Sequence, residues 1–150
     1  MDQEILNENA QQEKINWQRL QIAKGKIKKL STDTKAYNVE DTTGDKAPVS
    51  EDGPEWDDYW KYWTKENFPA ECADCKCSIT ASTRNGAHVR LDGETDNTKD
   101  AWIAILCDSC NNWQNKTERT LKSGTWLAKV VMPEARKNAK PDLEPKKVVR

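Results

Sequence analysis

Two cysteine pairs, Cys72-Ala73-Asp74-Cys75 and Cys107-Asp108-Ser109-Cys110, stand 31 residues apart, and their reading decides the fold. Two-residue spacing lets both thiolates of a pair reach one tetrahedral ion at about 2.3 Å per zinc–sulfur bond. Two such pairs predict a closed four-sulfur site, structural rather than catalytic, holding Zn²⁺. The intervening length suits a hairpin between the pairs. Disulfides are the poorer explanation. The opening residues, MDQEILNENAQQEK, have neither the basic nor the apolar part of a secretory leader, which points to a reducing, cytoplasmic setting. Five cysteines also cannot all pair with one another. The fifth, Cys77, is most simply a spare buried thiol; a swapped ligand and a redox-sensitive thiol are the other readings.

Outside the pairs the chain is polar. Of its 150 residues 35% are hydrophobic and 33% charged, too polar for one apolar core along the whole length. A metal tie is what a small compact region in such a chain needs. No apolar run approaches the length of a membrane span, so no membrane partner is expected. The formal net charge of -1 divides unevenly: residues 1–71 are net -5, 72–114 net -2 and 115–150 net +6. A basic tail favours a polyanion such as nucleic acid, or simply keeps the chain soluble.

Residues 1–30 read as an amphipathic helix, with Trp17, Leu20, Ala23, Ile27 and Leu30 on one stripe. Such a helix packs on its own core, on a partner chain or on a second copy. Residues 31–54 read as a polar linker rich in Thr, Asp, Ser, Gly and Pro. Asp52-Gly53-Pro54, followed by Glu55, Asp57 and Asp58, opens a second helix running to Phe68-Pro69. Trp56, Tyr59, Trp60 and Trp63 give it one aromatic face, for core packing or for stacking nucleobases. Residues 78–82 predict a short strand, and Arg84-Asn85-Gly86 a turn. His88-Val89-Arg90-Leu91 predicts a half-exposed strand, and 102–106 (WIAIL) a buried one. A short helix follows, N-capped by Asp108, then a last strand at about 125–131. Residues 133–150, basic and aperiodic, predict a disordered tail.

Knuckle, hairpin with the chain's single histidine, and second CxxC at a helix start occur in that order. The residues CADC at 72–75, GAHV at 86–89 and ILCDSCN at 105–111 resemble the HNH-endonuclease superfamily of treble-clef zinc fingers, particularly small bacterial and phage proteins. The resemblance covers roughly residues 68–131. It implies that Cys72, Cys75, Cys107 and Cys110 hold structural zinc. It also implies that His88 sits over the helix as general base of phosphodiester hydrolysis, beside a Mg²⁺ or similar ion. Two positions depart from it. Ala87 stands where a metal ligand precedes the histidine, and Asn111 where a histidine ligand follows the last cysteine. An amide is a weaker ligand than imidazole for most catalytic metals. Asp92, Glu94, Asp96 and Asp108 are the carboxylates nearest in sequence that could substitute.

His88 therefore carries three readings: catalytic base, ligand in a Cys3His site, or structural residue packed over the helix. The expected fold is α+β: an N-terminal helical extension, a linker, and a zinc-stabilised ββα treble clef spanning 55–132 with the aromatic helix. The expected function is a catalytically degenerate HNH-like module binding nucleic acid or a protein partner. The alternative is an active metal-dependent endonuclease using His88 and Asn111. Arg84, Arg90, Lys116, Arg119 and Lys122 are the cations best placed in sequence for phosphate.

Overall fold

The computed structural model describes residues 3–39, 47, 52–80, 85–93, 100–111 and 118–131. Among them are three helices, α1 (Gln3–Ala23), α2 (Trp56–Thr64) and α3 (Asp108–Asn111). The strands are β1 (Ile27–Lys29), β2 (Thr34–Asn38), β3 (Ala70–Glu71), β4 (Ser78–Ile79), β5 (Asn85–Leu91), β6 (Asp100–Leu106), β7 (Glu118–Leu121) and β8 (Trp126–Val131). Six form one sheet in the order β1-β8-β6-β5-β2-β7, and β3 pairs with β4 around the first cysteine pair. Every pairing is antiparallel.

The apolar run WIAIL explains the centre of the sheet. It lies in β6, and Ala101 to Leu106 are buried on both faces. Directly paired residues share a face. His88, Ile103 and Ala128 therefore line one side, and Val89, Trp102 and Lys129 the other. The second side curls on itself. β7 and β8 lie four strand spacings apart in the sheet order, about 19 Å if flat. Yet residues 122–125 join them through a tight turn, Thr125 N–H donating to Lys122 O at 3.2 Å. The curl encloses Ala36, Val89, Leu106, Leu121 and Leu127, each fully buried.

Helix α2 covers the first side. Its start is fixed by a capping box, with Glu55 N–H donating to Asp58 Oδ2 at 3.0 Å. Its aromatic stripe packs into the core: Trp60 is 4% exposed, and Trp56, Tyr59 and Trp63 lie against the cluster. Trp60 Nε1 donates to Trp126 O at 2.8 Å and Tyr59 Oη to Lys129 O at 2.6 Å. Burial pushes the Tyr59 hydroxyl up to about 12. Helix and sheet meet so closely at Gly86 that a Cβ there would stand 2.7 Å from the Trp56 carbonyl carbon and 2.8 Å from Asp57 N. Gly86→Ala must push backbone apart. It should cost about 1–3 kcal/mol and lower the thermal midpoint by about 3–12 °C, read by calorimetry.

Three expectations are corrected. The first helix stops at Ala23, not residue 30. Gly25 N–H donates to Ile22 O and Lys26 N–H to Gln21 O, a Schellman end with Gly25 at φ 78. Ile27 and Leu30 are buried from strand and turn positions, while Leu20 is 50% exposed. The inward face of α1 is instead polar: Trp17 Nε1 donates to Trp63 O and Gln18 Nε2 to Thr64 O, satisfying carbonyls at the open end of α2. That helix in turn ends at Thr64 rather than Phe68, with Lys65 at φ 61. Second, part of the expected linker is β2, paired with both β5 and β7, with Ala36 fully buried between them. Third, the sheet is larger than a ββα finger, because β1, β2 and β7 extend it. Residues 40–46, 48–51 and the expected tail at 133–150 lie outside the described residues.

Candidate metal centre

The first cysteine pair sits in the turn of the β3–β4 hairpin. Cys72 N–H donates to Cys77 O at 2.8 Å and Lys76 N–H to Cys72 O at 2.9 Å. Lys76 takes the left-handed conformation, φ 70, which closes the turn. The second pair opens α3 directly after β6, and Asn111 N–H donates to Cys107 O at 2.8 Å. Ala73 ties the two regions together. Its N–H donates to Ile105 O, and its carbonyl accepts from Lys122 N–H, both at 2.9 Å.

This architecture brings the thiols of Cys72, Cys75, Cys107 and Cys110 together, with all four sulfurs within 4.8 Å of one another. Cys75 Sγ and Cys107 Sγ are 3.8 Å apart. A tetrahedral ion with 2.3 Å metal–sulfur bonds has sulfur–sulfur edges of about 3.8 Å, so the donor set fits one ion. Cys72 Sγ accepts from Cys75 N–H at 3.5 Å and from Cys107 N–H at 3.4 Å. The backbone N–H of Cys77, and then its thiol, hold the Cys75 thiol down to about 7. Hydrogen bonds to Cys75 and Cys107 push Cys77 up to about 12, and burial pushes Cys110 up. Cys77 is exposed, not the buried thiol expected from sequence, and it stands outside the four-sulfur group.

Comparison with family models, curated proteins and solved structures found no match. The site is therefore read from its own geometry.

His88 is 6% exposed and lies edge-on to Trp56, ring centroids 4.5 Å apart. It faces α2. Asn85, three residues earlier and so on the opposite face of β5, donates from Nδ2 to Asp108 Oδ1 of α3 at 2.8 Å. It is Asn85, not His88, whose side chain reaches α3. The histidine is not in the sulfur group, so the Cys3His reading is set aside. Asn111 is exposed at the end of α3.

The five cations expected to meet phosphate divide. Arg119 is corrected: it is 2% exposed, and Nη1 donates to Asp74 Oδ2 at 3.0 Å, inside the curl. Arg90 and Lys122 are half-buried, while Arg84 and Lys116 lie outside the described residues, as do Glu94 and Asp96. Asp92 is exposed near Tyr37, whose hydroxyl donates to it at 3.4 Å. The exposed cations that do cluster, Lys24, Lys26, Lys28 and Lys29, were masked in the sequence by their assignment to the outer face of a long helix. Gly25 was the signal that the helix ends among them.

Proposed function

We propose that the chain is a zinc-tied, HNH-like module that has lost hydrolysis and works by binding. One observation carries this: the four sulfurs converge on one point, while the single histidine stands outside that group, 6% exposed and edge-on to Trp56 of α2. Soft thiolates in a tetrahedral set select zinc, or iron as the nearest competitor. The ion's contribution is structural, joining the β3–β4 turn to the β6–α3 junction, because four sulfurs leave no open position for water or substrate. The order of knuckle, hairpin β5–β6 and second pair at a helix start supports the HNH-like reading. The ligand deficit at Ala87 and Asn111 supports the loss of chemistry.

A general base must reach its water within hydrogen-bond distance, and His88 is 6% exposed where it packs edge-on against the Trp56 indole. The test is a plasmid-nicking assay with Mg²⁺, Mn²⁺ or Ni²⁺. Wild type and His88→Ala are expected to be equally inactive. Cleavage by wild type that vanishes in His88→Ala would restore the endonuclease reading.

A further inference from the structure

Lys24, Lys26, Lys28 and Lys29 place four exposed ammonium groups within six residues, at the end of α1 and along β1. β1 is the edge strand of the sheet, and Lys129 joins from its neighbour β8. Each of these groups except Lys24 stands over an indole. Lys26 is 5.4 Å from the Trp63 ring centroid, Lys29 5.3 Å from Trp126, and Lys28 and Lys129 are 5.1 and 5.5 Å from Trp102. Other lysines already have carboxylates: Lys14 has Glu66, Lys35 has Glu118, Lys61 has Asp52 and Lys76 has Glu71. Among the described residues, no carboxylate pairs with Lys24, Lys26, Lys28 or Lys29. In a chain whose first 71 residues are net acidic, that is a concentrated positive edge.

Edge-strand lysines also guard against strand-to-strand aggregation, and lysine stems shield aromatic rings. Neither role calls for four such charges in six residues beside a cavity. A cavity of about 260 Å³ adjoins this edge at Lys29, with Trp60 and Trp126 in its wall; Glu66 and Glu71 also line it, their carboxylates taken up by Lys14 and Lys76. It is roomy enough for one planar heterocycle.

We propose that this edge is a binding ledge for single-stranded nucleic acid. Lys26 and Lys29, on the α2 face with Trp126, take phosphates beside a base that enters there, and Lys28 and Lys129, on the other face, take phosphates where the strand passes over the edge. An ammonium drawn from an indole to a phosphate uncovers a ring face, and base–indole stacking is tolerant of sequence. Duplex offers the same phosphates but keeps its bases stacked and out of the cavity. The proposal rests on the binding reading above for its functional sense, yet the two fail separately. Nicking activity would overturn that reading and leave the ledge intact, whereas absence of binding would overturn the ledge alone.

The test is fluorescence anisotropy of a labelled thymidine oligonucleotide with the full metal-loaded chain, alongside tryptophan quenching. With three or four phosphates neutralised, a fourfold rise in salt should lower affinity about 20–50-fold. The triple variant Lys26→Gln, Lys28→Gln, Lys29→Gln keeps most of the shielding stems. It should lose about tenfold in affinity and flatten the salt dependence, with melting and metal content unchanged. Lys35→Gln, which removes a lysine already paired with Glu118, should bind as wild type. Trp126→Phe should keep the salt dependence and lose part of the quenching. No binding at low salt, or binding indifferent to the triple variant, overturns the proposal. Equal affinity for duplex overturns its single-strand preference.

Discussion

Cys72→Ser is expected to leave the protein without stoichiometric metal and to lower its thermal midpoint by about 10–20 °C, a loss of about 5 kcal/mol. The reasons lie in where Cys72 sits. Its residue is 0% exposed and belongs to the core cluster, and its sulfur accepts N–H groups from both cysteine pairs. A serine oxygen is shorter and harder, and it reaches neither the ion nor those two donors equally. Small zinc fingers draw about 10–16 kcal/mol from their metal; here the curled sheet retains a core of its own, so a smaller share is lost. The damage should spread from the knuckle, because Ala73 is bonded to both the end of β6 and the turn after β7. Cys77→Ser is the matched control and should keep one ion per chain, since Cys77 stands outside the four-sulfur group. Elemental analysis with calorimetry reads both variants, and zinc is the expected element. A wild-type chain that holds no metal and melts unchanged in chelator would remove the metal reading altogether.

The parts of the molecule legible in sequence are those with one dominant local cause. The CxxC spacing led directly to the sulfur cluster, WIAIL to the buried central strand, and the four-residue aromatic stripe of α2 to core packing. The rest was set by tertiary context. Ala36 looked like linker filler, yet a small side chain is what fits between β5 and β7 inside the curl. Trp17 and Gln18 face inward for the carbonyls of Trp63 and Thr64, a requirement that no apolar period encodes. Gly25 falls inside the helix that the apolar stripe predicts, whereas its positive φ ends that helix and turns Ile27 into a strand. Charge alone makes Arg119 a candidate for phosphate, and charge gives no hint of burial.

The Arg119–Asp74 pair makes the second large prediction. The Arg119 side chain is 0% exposed and that of Asp74 11%, and the guanidinium also reaches Asn38 Oδ1 from Nε at 3.3 Å. Asp74 lies between the first two sulfur ligands and Arg119 lies on β7, so the bond fastens the metal turn to the sheet edge opposite β1. Removing one partner strands the other's charge away from water. Asp74→Ala should therefore cost about 3–5 kcal/mol, visible in chemical denaturation and in faster amide exchange along β7. Replacing both partners, as Asp74→Leu with Arg119→Met, removes the stranded charge along with the attraction, and should recover most of the loss. The comparison also separates two roles for Arg119. As a phosphate contact, its loss would weaken nucleic-acid binding and reduce the salt dependence at unchanged stability. As the anchor of the knuckle, Arg119→Ala lowers stability and leaves the salt dependence of oligonucleotide binding as it was, because the lysines along β1 set that slope from the other edge of the sheet.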